Sequence, residues 1–395
     1  MNILFVSCKF RLFDSLDCGA SHRSTMLVKA LSEIGHVDVI SFCKDPVLSN
    51  ITNCDVIYNT YLPQLSSSDN NSILKRGINL LKLFFTPWNP LCYYRENKQR
   101  KEVVSNYFNK KKYDIVVCRY IDEAISCGLL KYAEKLIVDV DDSLVSASKR
   151  DISNMDFYHF WSKPIAVWKA NAIGIMQKCF LRNIKCSFYS NVLESPYKES
   201  IYLHNVTTVT STPTEITSST PKRLLVVGWL DFFPNKEGVR HFVKNVFPVI
   251  RSEIHEAELH VVGKTHDAGF MKWLNGIEGI KALGYVENIV EEYRECSVII
   301  IPVYHGSGTS VKFIEGMMMN RPMVSTPMGV RGFESICLAD KHYMLAKTDK
   351  EFAEKTIRLL SSIDISNNMA RLAYKVGTSY FSQEHFIETV KKAIG

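Results

Sequence analysis

Short apolar runs rich in β-branched residues recur along this chain, separated by polar stretches with helical spacing. In the first half they are Asn2–Ser7, Val37–Phe42, Asp114–Arg119, Lys135–Val140 and Cys186–Ser190. In the second half they are Arg223–Gly228, Glu258–Val262, Ile280–Gly284, Val298–Pro302 and Pro322–Thr326. Strands that are apolar along their whole length are covered on both faces, as in a parallel sheet. Their alternation with helices predicts crossover connections and an α/β class. Between the two series lies Thr210–Lys222, rich in Thr, Ser and Pro and poor in large apolar residues, which reads as a linker. The expected plan is an N-terminal domain over 1–209, a linker over 210–222 and a C-terminal domain over 223–381. The spacing of Phe386, Ile387, Val390 and Ile394 predicts a final helix over Gln383–Ile394.

Composition narrows the class. A chain of 395 residues with 46% hydrophobic content can bury two or three cores. No apolar window is long enough for a transmembrane helix. The opening MNILFVSCKF lacks a basic n-region, so a first β-strand is expected there rather than a signal peptide. Eleven cysteines without a C-x-x-C pair predict reduced, mostly buried thiols in a cytoplasmic protein, and no metal site.

The segment Ile301–Gly332 (IPVYHGSGTSVKFIEGMMMNRPMVSTPMGVRG) carries the chemistry. It reads as a buried strand, a glycine-rich turn, a helix start, a second strand and another glycine-rich turn. Gly306 and Gly308 let the backbone turn tightly and approach a ligand. Either Thr309 or Ser310 caps the helix, whose free N–H groups attract an anion. Lys312 adds a cation, and Glu315 stands one turn further on. A cation with free amides suits a diphosphate, and a carboxylate beyond it suits sugar hydroxyls. The glycines do not form a Walker A loop, because no Gly-Lys-Ser/Thr follows Gly308, and Val311 stands where a dinucleotide fingerprint needs its third glycine.

This segment resembles the donor-site signature of family 4 glycosyltransferases, a retaining group with the GT-B fold. The resemblance continues in order through Leu224–Arg251, Glu258–Lys264 and Gly284–Pro302, so it covers the C-terminal half well and the N-terminal half loosely. It implies two Rossmann-like domains facing each other across a cleft, with the last helix (about 382–395) crossing back to the first domain. The nucleotide sugar is then expected on the C-terminal half and the acceptor on the N-terminal half. Gly228, Thr309, Ser310 and Lys312 are expected around the diphosphate, and Glu315 matches the glutamate that grips the ribose. The first glutamate of the family's pair is replaced by Ser307, so the sugar contact passes either to His305 or to backbone near Gly306. Trp229 stands where many members carry Arg after the glycine matched by Gly228, Asn235 and Lys236 sit near the family's lysine position, and either Lys236 or Lys264 compensates. Tyr285 is placed to pack on the base, and Gly19, in the turn Ser7–Arg23 with a candidate cap at Ser21, to approach the phosphates.

For catalysis, Lys312 and the helix opening can stabilise a departing diphosphate without a metal or cofactor. Asp139, Asp141 and Asp142 end a strand and either position acceptor hydroxyls or supply a base. Arg119 and Tyr120 end another strand and are equal candidates on the acceptor side. The expected function is transfer of a sugar to a hydroxyl acceptor, glycan or lipid-linked, in cell-surface polysaccharide or glycolipid synthesis. A nucleotide-sugar 2-epimerase and a non-catalytic nucleotide-sugar sensor are the alternatives.

The net charge of +7 is unevenly placed. Residues 75–112 hold ten basic and two acidic side chains, interleaved with Leu81, Phe84, Phe85, Trp88 and Tyr93. That mixture suits an anionic membrane surface, so peripheral attachment at the inner face of the membrane is expected. Nucleic acid is not, since no recognised binding fold accompanies the patch.

Overall fold

The computed structural model describes residues 1–9, 12, 19–43, 50–62, 73–143, 145, 148, 152, 162–191, 200–306 and 308–395. It divides into two compact units, Met1–His204 with Phe386–Gly395, and Asn205–His385.

The first unit is built on seven parallel strands: β1 (Asn2–Ser7), β2 (His36–Ser41), β3 (Cys54–Asn59), β4 (Ile115–Arg119), β5 (Leu136–Asp141), β6 (Cys186–Tyr189) and β7 (Ser200–Tyr202). Their order is β3-β2-β1-β4-β5-β6-β7. The chain runs outward one way from β1, then returns to β4 and runs outward the other way. A doubly wound sheet of this kind opens its ligand crevice at the carboxyl ends of the strands where the order reverses, here β1 and β4.

The second unit repeats the plan with β8 (Arg223–Val227), β9 (Glu258–Val262), β10 (Ile280–Gly284), β11 (Val298–Ile301), β12 (Met323–Ser325) and β13 (Met344–Leu345), in the order β10-β9-β8-β11-β12-β13. Successive residues of its central strands serve opposite cores. Leu224, Val226, Val298 and Ile300 join one cluster with Phe242, Phe247 and Phe352. Leu225, Ile299 and Ile301 join the other with Phe313, Met317 and Phe333. Both faces are therefore dry, which is why these strands read as unbroken apolar runs.

The predicted strands are present to within a residue or two at their ends. β3, β7 and β13 were not legible. β3 and β7 have no buried residue, and β13 is two residues long. Such edge strands lack the apolar run that marked the others. The Thr- and Ser-rich run after residue 210 lies on the second unit. There Ile216 exchanges both backbone hydrogen bonds with the Asn367 amide (2.9 Å each), and Arg321 donates to the Thr214 carbonyl (2.7 Å). The helix Gln383–Ile394 forms as its spacing predicts, and its residues from Phe386 onward pack in the first unit. Phe386 meets His204 edge-on (5.7 Å), and Lys391 pairs with Glu33 (2.8 Å). No helix among the described residues is long and apolar enough to cross a membrane, and no disulfide joins the described cysteines.

Candidate functional site

In the first unit the functional side chains gather at the carboxyl ends of β1, β4 and β5. Arg23, on the helix Gly19–Ser32, forms a bidentate pair with Asp139 of β5 (2.9 and 2.7 Å). Arg119, the last residue of β4, donates to the same carboxylate (2.9 Å), to Ser24 Oγ (2.9 Å) and to Asp141 (2.6 Å). Arg23, Arg119 and Asp139 are buried, so this is an interior two-arginine, one-aspartate node. Desolvation opposes ionisation of Asp139, but Arg23 and Arg119 outweigh it and hold its pKa below the usual carboxylate range. Asp139 is therefore occupied internally. Asp141 and Asp142 are half-buried, Asp142 accepting from Ser190 Oγ (3.1 Å). Tyr120 and Asp141 both have positive φ, 68° and 61°. Neither is glycine, so each strains the backbone by about 1–3 kcal/mol, a cost concentrated at functional sites. The helix begins at Gly19, which puts Ser21 inside its first turn rather than at a cap. Residues 10, 11 and 13–18 of that turn lie outside the described residues.

In the second unit the residues gather at the ends of β8 and β11, where the strand order reverses. Gly306 (φ 126°) and Gly308 (φ 92°) turn the chain from β11 into the helix Val311–Met318 through conformations that side chains resist. Ser310 is the N-cap by backbone, but its side chain makes no cap bond. Its Oγ is buried and unpaired among the described residues. Thr309 Oγ1 accepts from the Asn205 amide (2.7 Å). Both hydroxyls are thus absent from the helix cap, and among the described residues no side chain caps its first amides.

Lys312 donates to Asn235 Oδ1 (2.8 Å), and Asn235 in turn donates to the Trp229 carbonyl (3.0 Å). Gly228 lies beneath both. A Cβ there would stand 2.9 Å from the Asn235 amide nitrogen and 3.2 Å from Lys312 Nζ. Glycine at 228 is what lets lysine and asparagine settle against the end of β8. One turn beyond Lys312, Glu315 accepts from Tyr293 OH (2.6 Å) and Thr207 Oγ1 (3.5 Å). Lys312, Glu315, Asn235 and Gly228 are therefore brought together. Lys236 is not: it pairs with Asp267 and lies over the Phe270 ring (5.3 Å). Lys264, Tyr285 and His305 are exposed, and Ser307 lies outside the described residues.

The charges here are poised. Burial lowers the Lys312 pKa from lysine's usual 10.5 to about 8, against the pull of Glu315. Burial raises the Glu315 pKa, opposed by Tyr293, Lys312 and Thr207. Below pH 8 the ammonium is charged and suits an anion. Above it the empty site loses that charge, and an anion must recover the proton on binding. Affinity for a nucleoside diphosphate is expected to fall as pH rises past about 8, by up to about tenfold per unit. Calorimetry in buffers of different ionisation enthalpy should register proton uptake on binding near pH 9 and none near pH 6.5. Between about 8 and 10.5 the unfolded chain binds more protons than the folded one, so this group's own effect on stability has the opposite sign and improves with pH.

Tyr293 and Arg23, like Thr207, Asn205 and Ser24, are partners that sequence reading did not assign. Tyr293 sits in an amphipathic helix among core residues, where an aromatic ordinarily signals packing alone. Among the described residues, one trio has metal-ligating spacing, His36, Asp38 and Asp55. It lies at the amino ends of β2 and β3, where Lys111 and Tyr113 already engage Asp38 (2.7 Å each).

Residues 221–362 match the family model described as Glycosyl transferases group 1. No curated protein matches the sequence. Among solved structures, sucrose-phosphate synthase from Thermosynechococcus elongatus aligns at 15% identity with a TM-score of 0.69, over 99% of this chain and 97% of that one. Anabaena HepE in complex with UDP and glucose aligns at 11% identity and 0.62, over 99% and 98%. WaaG, a glycosyltransferase involved in lipopolysaccharide biosynthesis, aligns at 12% identity and 0.56, over 98% of each chain. The chain has the fold of these proteins, GT-B.

Proposed function

We propose that this chain, a glycosyltransferase with a group 1 domain at 221–362, moves a sugar from a nucleoside-diphosphate donor to a hydroxyl acceptor with retention of configuration. The observation that carries the reading is the convergence of Lys312, Asn235, Gly228 and the opening of the helix Val311–Met318 on one point at the switch between β8 and β11. A lysine ammonium beside helix-start amides stabilises a departing diphosphate. Glu315, with both oxygens oriented by Tyr293 and Thr207, is a ready acceptor for ribose hydroxyls. Since these groups supply the positive charge, the transfer is proposed to need neither metal nor cofactor. In the first unit, the half-buried Asp141, which pairs with Arg119 (2.6 Å) and lies 3.6 Å from Arg23, and Asp142 are the carboxylates proposed to meet an acceptor, with Asp139 enclosed more deeply by the same arginines. A glycan or lipid-linked acceptor in polysaccharide or glycolipid synthesis fits the resemblance to WaaG, and UDP-sugars head the candidate donors because HepE was solved with UDP and glucose.

The test is a panel of nucleotide sugars, with diphosphate release followed in the presence and absence of glycan and lipid acceptors. Acceptor-dependent release that survives EDTA and gives a product of unchanged anomeric configuration supports the proposal. A sugar epimerised without transfer, or binding without turnover, would replace it with an epimerase or a sensor.

A further inference from the structure

We propose that the first unit carries a membrane-docking face built from two helices, Ile73–Phe85 and Lys163–Leu181, and that its partner is an anionic lipid bilayer. On the first of these, Leu83 turns inward and is fully buried. Leu81, Phe84 and Phe85, on the opposite side, are each more than half exposed, and so is Trp88 just beyond the helix. The helix Lys163–Leu181 continues the surface. Its Trp168 packs on Phe84 (4.7 Å between ring centres), and its Ile165 is 60% exposed. Exposed aromatic and aliphatic side chains contiguous across two helices are unusual on a surface that faces only water.

The rim identifies the occupant. Lys82 and Lys163, on the two helices themselves, and Arg95, in the segment just beyond Trp88, are exposed and have no ion pair among the described residues. Other bases of this stretch are consumed internally: Arg100 by Glu123 (2.6 Å), Lys101 by Glu96 and Lys111 by Asp38 (2.7 Å). What remains is an apolar centre with a cationic margin, the arrangement that lies in a headgroup layer containing anionic lipid. A second copy is the poorer partner, because two-fold pairing would bring the same cations against each other.

The face is also fastened to the working end of the sheet. Asn97 N–H donates to the Ser126 carbonyl (2.8 Å), and Arg100 grips Glu123, both on the helix that follows β4. Docking therefore fixes the bilayer relative to the carboxyl end of β4, where Arg119 and Tyr120 stand. The inference does not depend on the transfer reaction.

The experiment is co-sedimentation with phosphatidylcholine vesicles, with and without phosphatidylglycerol, at low salt. Binding is expected only to vesicles with the anionic lipid, weakening as salt rises, with a blue shift of tryptophan emission that Trp88→Phe diminishes. The exposed double change Leu81→Glu with Phe85→Glu is expected to weaken partitioning at least about tenfold. It should leave the melting temperature and the turnover of soluble substrates unchanged. Protein that stays in the supernatant with anionic vesicles overturns the proposal, as does undiminished binding by the double variant. A concentration-dependent dimer that the same changes abolish would assign the face to a second copy instead.

Discussion

Lys312→Ala is expected to lower sugar transfer by about 10²–10³-fold while leaving the fold intact. The lysine is the cation at the helix opening, its pKa is lowered to about 8 by burial, and it donates to Asn235 (2.8 Å). Loss of one preorganised charge donor at a developing anion costs that much in comparable sites. Glu315→Ala is expected to act differently, chiefly on donor affinity, because Glu315 is proposed to accept from the ribose hydroxyls, away from the diphosphate where charge develops on departure. It should also free Tyr293 OH, whose bond to Glu315 is 2.6 Å. Donor-binding calorimetry beside single-turnover kinetics separates the two effects, with thermal melting as the folding control. Unchanged donor affinity and turnover in both variants would remove the site from this helix.

The largest stability effect is expected at Asp139. Its carboxylate takes three hydrogen bonds from Arg23 and Arg119, and all three residues are buried. Asp139→Ala leaves two buried guanidinium groups with the half-buried Asp141 as their remaining counter-charge, paired with Arg119 at 2.6 Å and 3.6 Å from Arg23. Breaking a buried pair from one side costs about 3–5 kcal/mol, so the first unit should unfold at markedly lower denaturant while the second does not. Tryptophan emission and limited proteolysis can follow the two units separately. Asp139 is held ionised, so its contribution is present at neutral pH and lost as the pH falls below the usual carboxylate range. An Asp139→Ala protein as stable as the wild type would mean that solvent reaches these arginines.

The contrast among Asp139, Asp141 and Asp142 shows where sequence reading reached its limit. As a run of carboxylates after a strand they are equivalent candidates. Asp139, fully buried in β5, meets Arg23 on the helix Gly19–Ser32, 116 residues away in sequence, while Asp141, two residues on, meets the same arginines from a half-buried position. No local pattern encodes that meeting. Lys236 is a similar case. Its position near the donor strand makes it a natural substitute cation, yet Asp267, which caps the next helix but one, takes it. The basic stretch 75–112 likewise divides into paired and free cations only once the partners on β2 and beyond β4 are in place.

Fold class, the central strands and the lysine–glutamate helix were legible from residues alone, because each depends on local periodicity or on groups a few positions apart. Continuous apolar runs specify strands covered on both faces. A glycine pair with positive φ specifies the turn from β11, and helical spacing places Lys312 and Glu315 one turn apart. The tertiary structure alone decided which charges remain available. A buried carboxylate or cation takes a counter-charge or a hydrogen-bond partner, and that neighbour comes from a distant strand or helix: Arg23 and Arg119 for Asp139, Asn235 for Lys312, Tyr293 for Glu315. Local propensity sets the elements, but long-range pairing sets their electrostatics, because the cost of burying a charge is met wherever the fold brings a partner within reach.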